Sequence, residues 1–350
     1  MPQASSAPAP GPATLSFPYE TAPAPGRWTE IHPDVRWLRM PLPFALDHIN
    51  LWMLRGPHGW TVIDTGYHNA ATRSAWDELL PHHAPLERIV VTHCHPDHFG
   101  HAGWFTSAFG LPLYMTEAEY LTGHALYEST SGYGADALAN LYRLHGLDAG
   151  RLEAISSRPS GYRKAITPPP KTFRRIVHGD VLQLGCHAWR VIVGYGHAPE
   201  HASLYCETLG LLVSGDMLLP KISTNTSVWT TEPDGDPVAQ FLTSIRGFTE
   251  LPDDTLVLPS HGMPFRGIRA RVEALDAHHA ERLEELLGAC DEPRTAAEIL
   301  PVLFRRELDT HQLFFAMGEA IAHLNHLLHR GRVERSMGAD GAYRFQAVRH

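Results

Sequence analysis

Thr92-His93-Cys94-His95-Pro96-Asp97-His98-Phe99-Gly100 follows directly on the apolar run Arg88-Ile89-Val90-Val91. An apolar run of that length, closed by polar residues, reads as a buried strand, so the cluster sits where a strand ends and a loop begins. Imidazole nitrogen and carboxylate oxygen are donors that Zn²⁺, Fe and Mn accept. In extended backbone His93 and His95 point to the same side. Beyond Pro96 the chain can turn and aim Asp97 and His98 at a second point. One short segment can therefore serve two neighbouring metals.

Further donors appear downstream in the same setting. Val191-Ile192-Val193 leads into Gly194-Tyr195-Gly196-His197-Ala198-Pro199-Glu200-His201. Leu211-Leu212-Val213-Ser214-Gly215 ends in Asp216, and Leu256-Val257-Leu258-Pro259-Ser260 ends in His261. Each segment places a ligand-type side chain just past an apolar strand, where open sheets gather their functional groups. Upstream, Trp60-Thr61-Val62-Ile63-Asp64-Thr65-Gly66 is a strand running into a tight turn.

These ordered motifs, over roughly residues 35–265, resemble the metallo-β-lactamase superfamily, with its HxHxDH motif, a His-bearing turn, a carboxylate after a strand and a final His. The resemblance implies an α/β fold, an αββα sandwich, and two divalent cations, zinc first with iron or manganese as alternatives. By the family's pattern His93, His95 and His197 hold one cation, Asp97, His98 and His261 hold the other, and Asp216 bridges. His201 and Asp64 fall behind the ligands, or in the case of His201 at the substrate. Lys221, Ser223 and Asn225, on the polar loop past Asp216, are placed to touch substrate or to stand behind the ligands, with ordinary loop capping as the alternative.

The implied chemistry is hydrolysis. The two cations would supply an activated water for attack on an electrophilic carbonyl or phosphorus, and Asp97 and Asp216 would be the catalytic carboxylates. The antibiotic-hydrolysing relatives carry Cys or Ser where Asp216 stands, which argues against a β-lactamase. The leading reading is an ester, thioester or lactone hydrolase acting on a small metabolite. A phosphodiesterase or single-strand endoribonuclease is the second reading. A mononuclear iron sulfur dioxygenase and a non-catalytic winged-helix regulator come after it.

The 350 residues carry 43% hydrophobic and 19% charged side chains, the balance of a globular chain with a full core. A net charge of −9 gives no general attraction to nucleic acid or anionic membrane, so a small-molecule substrate is expected. Cys94, Cys186, Cys206 and Cys290 form no CxxC pair, which removes zinc-ribbon and dithiol motifs. Cys94 reads as a small buried thiol. No stretch is apolar and long enough to span a bilayer, and the default placement is cytoplasmic. The composition leaves a homodimer open.

The chain divides into a flexible Pro/Ala-rich arm over residues 1–27, which can drape over the body, a catalytic unit over 28–266 and a C-terminal unit over 267–350. Strands are expected at 35–40, 49–54, 60–64, 88–92 and 112–115, with helices at 69–80 and 101–109. Residues 117–172 read as a helical insertion or lid, whose Tyr120, Tyr127, Tyr133 and Tyr142 either line a pocket or pack helices. The second half opens with strands at 181–184, 188–193, 202–206 and 211–214. The last unit reads as a long helix over 268–289, a capping box at Thr295-Ala296-Ala297-Glu298, a helix over 310–330 and a two-stranded hairpin. It resembles the winged-helix domain that ends one branch of the superfamily. Its charge is mixed, without the basic face of a DNA reader. His323, His326 and His329 read as a polar helix face.

Overall fold

The computed structural model describes residues 14–156, 161–305 and 307–349. Two mixed sheets face each other. The first has the order β1 (Trp28–His32), β2 (Val35–Pro41), β3 (His48–Arg55), β4 (Trp60–Ile63), β5 (Leu86–Val90), β6 (Leu113–Met115) and β7 (Arg174–Arg175). Strands β1 to β4 pair antiparallel, and β4 to β7 pair parallel. The parallel strands require crossovers, supplied by α1 (Ala70–Leu79) and by α2 (Pro96–Phe99) with α3 (Ala102–Phe109). Asn69 caps α1 by accepting the Thr72 N–H. The second sheet has the order β12 (Leu256–Pro259), β11 (Leu211–Gly215), β10 (His201–Cys206), β9 (His187–Gly194) and β8 (Val181–Leu184). Only β11 and β12 pair parallel within it.

Three apolar clusters give the layers. Trp37, Trp52, Ile63 and Val90 of the first sheet meet Trp189, Val191, Leu204 and Leu258 of the second. The other face of the first sheet, with Leu51, Met53 and Val62, is covered by Trp76 of α1 and Phe105 of α3. The outer face of the second sheet, with Leu212 and Val257, is covered by α8 (Pro237–Gly247) and α9 (Ile268–Ala289). The result is an αββα sandwich. Each buried Trp, Phe or Leu contributes on the order of 1.5–3 kcal/mol by leaving water.

The insertion between β6 and β7 holds α4 (Glu117–Glu128), α5 (Ala135–Leu144), α6 (Ala149–Ser156) and α7 (Gly161–Ala165). The last two were not anticipated, nor were β1, the two-residue β7 and α8. Of the insertion's tyrosines, Tyr120 stacks on Phe173 and Tyr142 donates to the Phe314 carbonyl, so both pack helices. Residues 14–27 lie against the catalytic unit. Ser16 pairs with Arg266, and Tyr19 meets Trp37 edge-on. The rest of the arm, residues 1–13, lies outside the described residues.

After α9 come α10 (Ala296–Leu303), α11 (Thr310–His329) and the hairpin β13 (Val333–Met337) with β14 (Tyr343–Ala347). The capping box at Thr295 and Glu298 is present, and Asp309 with Gln312 forms a second. This helical unit shares one core with α8 and the second sheet. The three α11 histidines form a polar face whose first two members, His323 and His326, are buried and whose last, His329, is exposed. His323 stacks on His279, His326 takes the Asp236 carboxylate at 2.9 Å, and His329 binds the Asp234 carbonyl. The carboxylate partner invisible in the local sequence comes from the N-cap of α8. Among the described residues no helix is long and apolar enough to cross a membrane.

Candidate metal centre

All seven histidines and aspartates singled out from the sequence converge at one end of the sandwich. His93, His95, His197 and Asp216 offer ligand atoms within 4.8 Å of one another, and Asp97, His98 and His261 form a second such group. His93 Nε2 lies 2.9 Å from His95 Nδ1 and 3.2 Å from His197 Nε2. The two carboxylate oxygens of Asp216 divide between the groups. Oδ2 lies 3.4 Å from His197 Nε2, while Oδ1 lies 3.6 Å from His98 Nε2 and 3.5 Å from His261 Nε2. Asp97 Oδ2 faces His261 Nε2 at 3.4 Å and His98 Nε2 at 3.7 Å.

Separations of 3.4–3.7 Å exceed a good hydrogen bond. They match the spacing of donors about 2.1 Å from a shared cation. Asp216 Oδ1 and His98 Nε2 are buried without a hydrogen-bond partner. Two orphaned polar atoms aimed at a common point are costly unless something charged lies between them. The donor set therefore fits divalent metal.

Four of the rings are held from behind, so that the nitrogen facing the centre is fixed. His98 Nδ1 donates to Asp64 Oδ2 at 2.8 Å, His197 Nδ1 to the Asn225 carbonyl at 2.8 Å, and His261 Nδ1 to the His48 carbonyl at 2.8 Å. His93 Nδ1 lies 3.0 Å from the Thr92 hydroxyl. Burial pushes His95 down to about 3 and His93 well below its ordinary value, with neighbouring imidazoles adding to the effect. Both rings are thus neutral, the form that ligates. Burial also disfavours charge on His98 and His261, but the surrounding carboxylates overcome it and raise both. Negative charge is therefore concentrated at the second group, where a cation would neutralise it.

Asp64 sits at the sharp turn after β4 with φ 61°, a left-handed conformation that costs free energy outside glycine. Its carboxylate binds the Thr92 N–H and hydroxyl as well as His98. The turn thus joins β4, β5 and the HxHxDH loop. His201 is buried against His93 with ring centroids 4.8 Å apart, and its Nε2 accepts the Asp216 N–H at 3.1 Å. It holds the Asp216 backbone from behind. Gly215, at φ 54°, makes room for it, since a Cβ there would collide with the His201 ring.

The loop after Asp216 does not act uniformly. Lys221 is exposed and Ser223 half-buried. Asn225 turns its carbonyl to His197 and its side chain to Glu319 and Ser227. It therefore supports a ring rather than projecting into the cleft. Three supporting residues went unnoticed in the sequence. Glu119 of α4 is buried and accepts the N–H groups of Cys94 and Glu200, tying the insertion to both ligand loops. Burial raises its carboxyl above the ordinary value. His48 accepts the Gly262 N–H, and Asn50 donates to the Pro259 and Gly262 carbonyls. No local motif marks any of the three.

A cavity of about 530 Å³ adjoins the His197 turn. Its walls are Leu121 and Thr122 of α4, Tyr133 of the insertion, Tyr195, Trp229 and Asp236, and it touches Gly196 and Ala198 on either side of His197. A third His/Asp group, His32, Asp34 and His187, lies at the far end of β9. There Asp34 already pairs with Arg55, and His32 Nδ1 accepts the Asp34 N–H.

An αββα sandwich with this His/Asp centre at the ends of its strands defines a class of metal-dependent hydrolases. The chain belongs to the metallo-beta-lactamase superfamily, whose family model matches residues 45–261. A second model, the metallo-beta-lactamase-like C-terminal domain, matches residues 283–348. A beta-lactamase domain protein from Burkholderia ambifaria is 45% identical, with 95% of this chain and 98% of that one covered and a TM-score of 0.89. A metallo-beta-lactamase family protein from Thermus thermophilus is 31% identical over 91% of this chain and 100% of its own, with a TM-score of 0.78. A probable metallo-hydrolase of Bacillus subtilis strain 168 is 27% identical, over 83% of this chain and 91% of its own length. The chain is a probable metallo-hydrolase of this superfamily.

Proposed function

We propose that the protein is a dinuclear metal hydrolase that cleaves an ester, thioester or lactone of a small metabolite. The observation that carries this reading is the split of Asp216, one oxygen toward each His/Asp group. His93, His95 and His197 would hold one cation, Asp97, His98 and His261 the other, and Asp216 both. Such cations, zinc first and iron or manganese as alternatives, lower the pKa of a coordinated water toward neutrality and polarise a substrate carbonyl. The chain's own part is positional and acid–base. Asp64, Asn225 and His48 keep imidazole nitrogens aimed at the centre. Asp97 borders the cleft with about a fifth of its side chain exposed, where it can take up and return a proton.

The small-molecule substrate is favoured by the cavity beside His197. Its volume suits a metabolite, and Asp236 and Glu232 among its walls oppose a polyanion. A phosphodiesterase would gain from a basic approach to the centre. The second His/Asp group favours a dinuclear centre over a mononuclear iron dioxygenase. The C-terminal unit, two helices followed by a hairpin, is read as a winged helix that packs rather than binds DNA. The test is metal analysis of the purified protein, then a panel of ester, lactone, thioester and phosphodiester substrates. Turnover of a carbonyl substrate, lost on chelation and restored by metal, supports the proposal. Turnover confined to phosphodiesters overturns it.

A further inference from the structure

Helix α11 reaches the metal centre through a short chain of contacts. Glu319 Oε2 accepts a hydrogen bond from Asn225 Nδ2 at 3.1 Å. Ser227 Oγ donates to Asn225 Oδ1 at 2.7 Å, so both ends of the Asn225 amide are engaged. One turn of α11 also holds this segment by its backbone, with the Val228 N–H directed at the Gly318 carbonyl at 3.4 Å. The approach is close, because a Cβ on Gly318 would lie 2.7 Å from Ser227 Oγ and 2.8 Å from Ser227 Cβ. The segment clamped in this way carries the Asn225 carbonyl that receives His197 Nδ1–H at 2.8 Å. That bond leaves the Nε2 lone pair facing His93 and Asp216.

A neutral imidazole can carry its proton on either nitrogen, and the partner of the rear nitrogen decides which. If the Asn225 carbonyl shifts, His197 can rotate or change tautomer, and its ligand nitrogen is lost. The residue that holds the Asn225 side chain comes from the C-terminal unit, 94 residues further along the chain. We propose that Glu319 is a positioning residue of the metal centre, acting through Asn225 on His197, so that the catalytic unit is complete only when α11 is docked. The inference rests on His197 as a metal ligand.

The test uses the full-length protein, with zinc affinity read by competition against a chromophoric chelator. Glu319→Ala is expected to weaken the first cation's binding by about tenfold, the usual effect of losing a residue behind a ligand. Glu319→Gln retains an acceptor oxygen and is expected to stay within about twofold of wild type. Asn225→Ala should lose as much as Glu319→Ala, and the double variant no more than either, because both act on one carbonyl. Should Glu319→Ala fail to fold, Asn225→Ala and Glu319→Gln carry the test. Additive losses overturn the inference, and so does a Glu319→Gln variant as weak as Glu319→Ala. Unchanged affinity in Glu319→Ala, with His197→Ala weakened, overturns this inference alone. Wild-type protein that binds no divalent ion overturns the metal reading along with it.

Discussion

Asp64→Asn separates geometry from charge at the residue behind His98. Asparagine accepts left-handed backbone more readily than most residues, so φ 61° is retained. Its carbonyl oxygen can still take the Thr92 N–H that Asp64 binds at 2.8 Å. What it cannot do is accept His98 Nδ1–H at 2.8 Å through the NH₂ that replaces Oδ2. Two donors then face each other, and the favoured response is transfer of the imidazole proton to Nε2. That nitrogen is the one that faces Asp97 and Asp216. Removing such a rear partner costs about 10–100-fold in metal affinity. Since each tenfold step is about 1.4 kcal/mol, the loss is about 1.4–2.8 kcal/mol at the second cation. The first cation should lose less, because Asp64 reaches its ligands only indirectly, through the Thr92 hydroxyl that faces His93 Nδ1. Stepwise zinc titration against a chelator reads both affinities. Equal affinity of both cations in wild type and variant would refute the argument that Asp64 sets the His98 tautomer.

Other consequences follow from the same geometry. His95→Ala and Asp216→Ala should each reduce metal content and lower kcat by about 10²–10³-fold, as measured by elemental analysis beside turnover. Gly215→Ala forces a side chain into left-handed backbone against the His201 ring and should cost about 2 kcal/mol or more in urea unfolding, with reduced metal content. Glu319 is raised by burial to about 7, partly opposed by Asn225. The stability linked to that carboxyl is full below the ordinary glutamate value and is lost as pH rises through about 7, by up to roughly 3 kcal/mol. Glu319→Gln should therefore be less pH-sensitive than wild type between about pH 4.5 and 7 in denaturant titrations of the metal-free protein. Chelation should lower Tm, since each cation present at about 100 times its Kd contributes about 2.7 kcal/mol.

The His and Asp residues that converge at the centre were legible because each is encoded locally, as a polar residue just past an apolar strand. The HxHxDH segment could be read as serving two points because the alternation of extended backbone and the turn at Pro96 are properties of one short stretch of chain. Most strands were legible for the same reason, as apolar runs between turns. What the sequence hid is non-local. His261 leans on the His48 carbonyl 213 residues away, and no pattern in either segment announces it. Asn225 could be read as a substrate contact or as a support behind the ligands, and only the fold brings Glu319 to it from 94 residues further along the chain. The three α11 histidines read as a polar face without a carboxylate partner, because Asp236 is 90 residues earlier in the chain than His326. Helix α8 was missed although Asp236-Pro237 is an N-cap followed by proline at the first helical position, a signal open to sequence reading. The two-residue β7 carries too little pattern to be found.

The most direct measurement is anomalous X-ray diffraction at the zinc edge from crystals of the protein grown with zinc. The account predicts two peaks a few ångströms apart with Asp216 between them. One should touch His93, His95 and His197, and the other Asp97, His98 and His261. A single peak would contradict the paired centre, and no peak at these side chains would remove the hydrolytic reading altogether.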